Sequence, residues 1–332
     1  MTSRSEGSGS SAAGGLRLIA NAKTIFNPLI VAALLVLALL WAGEMIRPGF
    51  SSYGQVMNLL RIAAFLGFVS AGQTLVVISG KDGIDLSIGA IVTMSAVIIY
   101  QYLDGSNANI PIALGIACAV GGVLGGMNGI GISYLGVPPL VMTLGTAGVV
   151  EGLIIVVTKG RPSGALAPLL GDLVFKPWAF GIPGVVACWA FLGIVMWVAL
   201  HRTVYGKQLY LIGANRTAAH LSGVKIGPMI VTTYALSGLL ASLGGAVLLG
   251  YTGSVFINLG NEYVLPSVAA VAMGGTLLSG GVGGYTGTML GAMVLTLVQS
   301  LLITVGFPEF ARQIVFGAGL IAILSLYGRQ RL

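Results

Sequence analysis

The chain has 332 residues, 56% hydrophobic and only 8% charged, and its 16 basic and 9 acidic side chains give a formal net charge of +7. A soluble domain carries about a quarter charged residues, so a water-soluble enzyme is excluded for want of solvating charge. Disorder is excluded too, because it needs low hydrophobicity and high net charge. Long apolar runs without the alternation of a β-barrel leave an all-α polytopic membrane protein.

Residues 1–27 read as a flexible, Gly/Ser-rich cytoplasmic head carrying Arg4, Arg17 and Lys23. The apolar run that follows lacks a small-residue cleavage site and reads as an anchor, not a removable signal. At about 20 apolar residues per crossing, spans are expected at 28–45, 56–79, 84–102, 110–134, 138–158, 183–200, 229–250, 263–279, 285–306 and 310–327. About ten transmembrane helices put both ends on one side, with residues 328–332 as a short tail. Basic residues decide which side. Lys81, Arg202, Lys207, Arg216, Lys225, Arg329 and Arg331 join the N-terminal cations on one face, against Arg47, Lys159, Arg161 and Lys176 on the other. The positive-inside rule then gives N-in, C-in. In this setting a basic chain needs no nucleic-acid partner; its partner is the bilayer.

Several local features follow in chain order. Gly121, Gly122, Gly125, Gly126 and Gly129 in the fourth span, and Ser237, Ala241 and Gly245 in the seventh, form small-residue faces for close helix packing. Cys118 and Cys188 fall in apolar runs and read as packing groups. The external loop 159–182 mixes cations with Phe175, Trp178 and Phe180, as suits a segment in the membrane interface. Loop 201–228 is the one long polar internal loop and holds both histidines, His201 and His220, read as surface side chains. In it, Asn215 is a good N-cap and Gly223 a good stop, predicting two helical turns whose Ala218, Ala219 and Leu221 form a small apolar face edged by Arg216.

Catalytic and metal-binding patterns are missing. No phosphate-binding loop is complete, Gly206-Lys207-Gln208 being the nearest fragment, and HExxH, GxSxG and paired-Cys spacings do not occur. The chain therefore reads as no enzyme, with no cofactor or metal of its own. Ionisable residues inside the spans are Arg61, Asp85, Glu151 and Arg312, with Glu262 and Glu309 at outer edges. None makes a good midplane ion site of the kind coupled carriers use. Nearer the span centres stand Gln73, Thr74, Asn128, Thr143, Thr146, Gln299 and Ser300. Hydroxyls and amides of this kind suit a neutral, hydroxyl-rich solute; each could equally be satisfied by a neighbouring helix. An unpaired carboxylate in the membrane is costly, so Glu151 is expected either to pair with Arg61 or Arg312, or to face an external vestibule.

Four segments, GIDLSIGA (83–90), VPPLVMTLG (137–145), GANRTAAHLSG (213–223) and GGTLLSGGVGG (274–284), resemble, in order and spacing, the permease subunits of bacterial ribose-type sugar ABC importers. The resemblance covers about 28–327. It implies the importer permease fold in the bacterial inner membrane, and alternating access for a monosaccharide or polyol. It also implies three partners: a second permease subunit, a periplasmic sugar-binding protein and an ATP-binding subunit with two fused nucleotide domains that holds the ATP and Mg²⁺. Asn215, Arg216, Ala218, Ala219, Leu221 and Gly223 would then form the coupling helix that enters the ATPase. Read from the residues alone, the same segment could be a solvated connector or an interfacial helix. Asp85 or Ser87 can cap the third span, or serve in gating or ATPase contact. Pro138 and Pro139 can start the fifth span without loss. Two departures from the family pattern, Lys81-Asp82 before GIDLS and Glu151-Gly152 at the end of the fifth span, prevent transfer of a ribose substrate. An ion-coupled carrier and a passive polyol channel are the competing classes.

Overall fold

The computed structural model describes residues 28–80 and 83–328. The N-terminal head, the Lys81-Asp82 departure and the extreme C-terminal cations lie outside the described residues. Among the described residues thirteen α-helices follow one another: α1 (Pro28–Ile46), α2 (Tyr53–Ile78), α3 (Ile88–Leu103), α4 (Ile110–Ser133), α5 (Pro139–Thr158), α6 (Pro168–Phe175), α7 (Gly184–Arg202), α8 (Val204–Ala214), α9 (Arg216–Leu221), α10 (Ile226–Thr252), α11 (Val264–Met273), α12 (Tyr285–Thr304) and α13 (Glu309–Gly328). Seven of the described helices, α1, α2, α4, α5, α7, α10 and α12, are long and apolar enough to cross a membrane.

Two helices form the axis. In α2 the most apolar stretch is 89% buried and in α10 67%, against 17% for α1 and for α5. Helices α1 and α5 thus turn most of their apolar surface outward, as lipid-facing helices must. Helices α3, α4 and α5 pack on one side of the axis, with α7, α11 and α12 on the other. The glycine face of α4 packs within the subunit. A Cβ on Gly121, Gly125 or Gly129 would overlap α10 at Gly238, Tyr234 or Val231. Cys118 and Cys188 are free and half-buried.

Every expected span coincides with a helix, but two are shorter than expected. Helix α3 has 16 residues and α11 has 10, spanning ~24 and ~15 Å at 1.5 Å per residue. The hydrocarbon layer is about 30 Å thick. Non-helical backbone adjoins each of them, 83–87 before α3 and 274–284 after α11. Such backbone survives at membrane depth only where protein covers it; Asp85 and Ser87 have no exposed surface and Thr276 is 1% exposed. Apolarity alone made 263–279 look like one span, because Gly-rich buried turns score as apolar.

The second irregular segment meets the end of α2. Gly281 N donates to Ile78 O at 2.9 Å, and Gly80, in the left-handed region at φ +72°, packs against Gly213 and Ser279. Gly213, near the end of α8, allows the closest approach: a Cβ there would overlap the Ile78 carbonyl oxygen and the Gly281 nitrogen. Three chain segments are therefore joined backbone to backbone at one end of the bundle, called here the coupling end.

Loop 201–228 holds more structure than expected. Besides the short helix α9 it contains α8, whose Leu209 and Ile212 are buried and whose N-cap Thr203 accepts a hydrogen bond from Gly206 N. At the opposite end, loop 159–182 contains α6, whose Leu170 carbonyl lies against Gly250 of α10. Trp178 and Phe180 there are exposed at 58% and 92%.

Candidate functional site

The first polar cluster surrounds residues 83–87. Asp85 Oδ1 accepts from Ser87 N at 3.0 Å and from Ser87 Oγ at 2.6 Å, while Oδ2 accepts from Ser237 Oγ at 3.0 Å. Ser87 Oγ accepts in turn from Asn128 Nδ2 at 2.8 Å, and Asn128 Oδ1 accepts from Thr146 Oγ1 at 2.6 Å. Thr143 Oγ1 accepts from Leu86 N at 3.1 Å. With its amide assigned from the hydrogen-bond network, Gln73 donates to Asp85 O at 3.2 Å and accepts from Asp85 N at 3.3 Å. Helices α2, α4, α5 and α10 thus each send polar side chains to this one irregular segment. Buried backbone groups need partners, and these side chains supply them where a helix ladder is absent.

Of the expected pathway residues, Gln73, Thr74, Asn128 and Thr143 have no exposed surface here, and their polar atoms are committed to other groups of the protein. Thr74 Oγ1 meets Thr288 Oγ1 at 2.9 Å, tying α2 to α12. Thr146 is half-buried and committed to Asn128. The Ser300 carbonyl accepts from Thr304 Oγ1 within α12. Asp85 does hold the first N–H before α3, as a capping carboxylate would, whereas Ser87 makes no side-chain cap. The role of Ser237 was hidden in the sequence, where its spacing with Ala241 and Gly245 signalled packing alone.

The second feature is α9 at the coupling end. Asn215 caps it through Oδ1, which accepts from Ala218 N at 3.0 Å, and Gly223 ends it at φ +79°. The expected apolar face is split. Ala219 is fully buried in the chain's own core, whereas Ala218 is exposed and Leu221 is 81% exposed. Arg216 is half-buried and its Nε has no hydrogen-bond partner; burial lowers its proton affinity below the ordinary arginine range. Beneath it the Tyr234 hydroxyl is also buried without a partner, at a position that the charges of both Asp85 and Arg216 reach.

The third feature is a cavity of about 410 Å³ near the opposite end, between α2, α11, α12, α13 and the turn Asn261–Tyr263. Apolar side chains such as Leu66 and Leu295 form its walls, with Glu262, Tyr263, Gln299, Arg312 and Gln313 among its lining residues. Of the expected pathway residues only Gln299 lines it. Asn261, Tyr263 and Gln313 were missed, because a turn residue and a polar helix start carry no periodic signal.

The expected ion pairs of Glu151 are not formed. Glu151 Oε1 accepts from Asn261 Nδ2 at 2.9 Å, so it holds the rim of the cavity. Arg61 instead donates to Asn58 Oδ1 at 2.9 Å and lies 5.3 Å over the Phe175 ring. Arg312 pairs with Glu309, one turn earlier in α13. Local partners three residues away reach both arginines at less entropic cost than a carboxylate on another helix. Among the described residues no group of His, Cys, Asp and Glu could hold a metal ion.

The match to a family model spans residues 55–324, and the model is described as a branched-chain amino acid transport system / permease component. The chain belongs to this family of transport permeases. Among its relatives, the ribose import permease protein RbsC of Bacillus subtilis is 36% identical over 284 residues, covering 85% of this chain and 87% of the relative. RbsC of Escherichia coli K12 is 28% identical over 306 residues, covering 91% and 93%. The galactose/methyl galactoside import permease protein MglC of the same strain is 32% identical over 299 residues, covering 84% and 88%. No solved structure matches significantly. This permease is a multi-pass membrane protein of the ABC importer class, and the carrier and channel alternatives are set aside.

Proposed function

We propose that this permease carries a monosaccharide or related polyol inward across the bacterial inner membrane, with its coupling end cytoplasmic. The observation that carries the reading is α9: a preformed short helix with Ala218 and Leu221 exposed, entered through the Gly213 junction that touches the end of α2 and the 274–284 segment. A separate ATP-binding subunit with two fused nucleotide domains would take Ala218 and Leu221 into a groove. It would also hold the ATP and Mg²⁺. Closure of that subunit would move α9 and α8, and through Gly213 the backbone at Ile78 and Gly281. The transport mode is alternating access, in which partner closure biases two states of the permease. A second permease subunit and a periplasmic sugar-binding protein complete the importer.

The relatives named for ribose and galactose support a sugar over the amino acid of the family's description. Uptake of labelled D-ribose, D-galactose and L-leucine into cells expressing the importer tests the reading. Sugar accumulation is expected, and its loss when the phosphate-binding lysine of the ATP-binding subunit is replaced. Sugar accumulation that survives that replacement, or accumulation of leucine alone, would overturn it.

A further inference from the structure

The cavity near the end opposite α9 has the volume of a small-molecule site, for which about 300–1,000 Å³ is usual. Its chemistry narrows the occupant. Arg312 is already neutralised by Glu309, and Glu262 adds a second carboxylate to the lining. An anion, including the carboxylate of an amino acid, would therefore meet an excess of negative charge without a free cation. A neutral solute meets no such penalty. The lining also calls for a ligand that both gives and takes hydrogen bonds. Carboxylates only accept, a guanidinium only donates, and the amides of Gln299 and Gln313 do both. The Arg312 Nε is buried and has no hydrogen-bond partner, a donor that a hydroxyl oxygen would satisfy. The apolar walls and the Tyr263 ring suit the C–H face of a sugar ring.

We infer that this cavity is a binding site for a neutral monosaccharide ring, in which Glu262 and Glu309 accept from ring hydroxyls while Gln299, Gln313 and Arg312 donate to them. The inference rests on the sugar-importer reading and places a sugar-selective step inside the permease itself. Glu151 acts there as a positioning residue, through its acceptance from Asn261.

The test uses the complete importer in proteoliposomes. In a background with Cys118→Ala and Cys188→Ala, Leu265→Cys, a lining position with no part in the proposed hydrogen bonding, is labelled with a small methanethiosulfonate reagent, with and without the sugar that wild type accumulates. Labelling is expected to slow at least threefold with that sugar and to be unaffected by L-leucine. If wild type accumulates a sugar but that sugar leaves the labelling rate unchanged, the cavity is not its site, although the importer reading stands. If wild type accumulates no sugar, the importer reading itself has failed and the inference falls with it. Protection by leucine overturns the neutral-ring assignment. Uptake kinetics, normalised to permease in the membrane, give a second measurement that needs no engineered cysteine. Gln313→Ala is expected to raise KM about tenfold, the loss of one or two hydrogen bonds, and an unchanged KM counts against the site.

Discussion

Asn128 shows how a polar residue in a membrane protein can be committed to its own chain. It donates to Ser87 Oγ and accepts from Thr146 Oγ1, so it links α4, α5 and the segment before α3. Interhelical hydrogen bonds in membranes average about 0.6 kcal/mol and reach about 1.7. Loss of both bonds in Asn128→Ala should therefore cost about 1–3 kcal/mol and lower the unfolding temperature in detergent by several degrees. Thr304→Val, which removes a bond within one helix, should shift it far less. Equal shifts would show that the cluster does not fasten the segment. Glu151 belongs to a different environment. With Asn261 released from its carboxylate, Glu151→Ala is expected to raise the uptake KM severalfold while membrane expression holds. Glu151→Gln, which keeps an acceptor oxygen, should recover most of the loss, and failure of that rescue would remove Glu151 from the rim's design.

At the scale of elements, α9 has two sides with different tasks. Ala218 faces outward and Ala219 inward. Ala218→Trp is expected to leave a folded, inserted permease that no longer supports sugar-stimulated ATP hydrolysis, since bulk cannot enter a fitted groove. Ala219→Trp should instead lower folded yield, because overpacking a filled core costs about 1–3 kcal/mol or more. Normal stimulation in the Ala218 variant would break the link between α9 and the ATP-binding subunit. Much of this element was legible beforehand: Asn215 and Gly223 bracket the helix by local rules that need no tertiary context. The burial of Ala219 was not, because six residues carry too little periodicity to say which alanine turns inward. Helix α8 was passed over for a related reason. Polar residues around Leu209 and Ile212 masked a short amphipathic pattern inside a segment that reads as a loop.

Among the described residues, hydropathy located the seven helices long and apolar enough to cross a membrane, because the bilayer imposes one length on any helix that crosses it. It said less where the helix is shorter, at α3 and α11. The glycine-rich turns at 274–284 are as apolar as a helix, and only their neighbours reveal where the backbone is paired by side chains and turns. The polar residues of the spans are ambiguous in sequence for the same reason: a hydroxyl at membrane depth looks alike whether it serves a sugar or a backbone amide. Orientation is open to a direct test. A reporter active only outside the cytoplasm should be active when fused after Gly105 or Gly160, and inactive after Arg202 or Gly223. The reverse pattern would place α9 on the wrong face of the membrane for its proposed partner.

Helix α9 is held by its own chain: Asn215 caps it, Ala219 anchors it and Val224 N returns to Ala219 O at 3.0 Å. A segment that folded only upon contact would have to order itself during every assembly event, at a cost of about 1–2 kcal/mol per residue. Here that ordering is complete before any encounter. Association should accordingly behave as the docking of two rigid surfaces, with on-rates of about 10⁵–10⁷ M⁻¹s⁻¹ and little dependence on conformational change. The affinity then lies in the rate of separation, so an assembled importer could keep its subunits together through many turnovers while α9 rocks as one body.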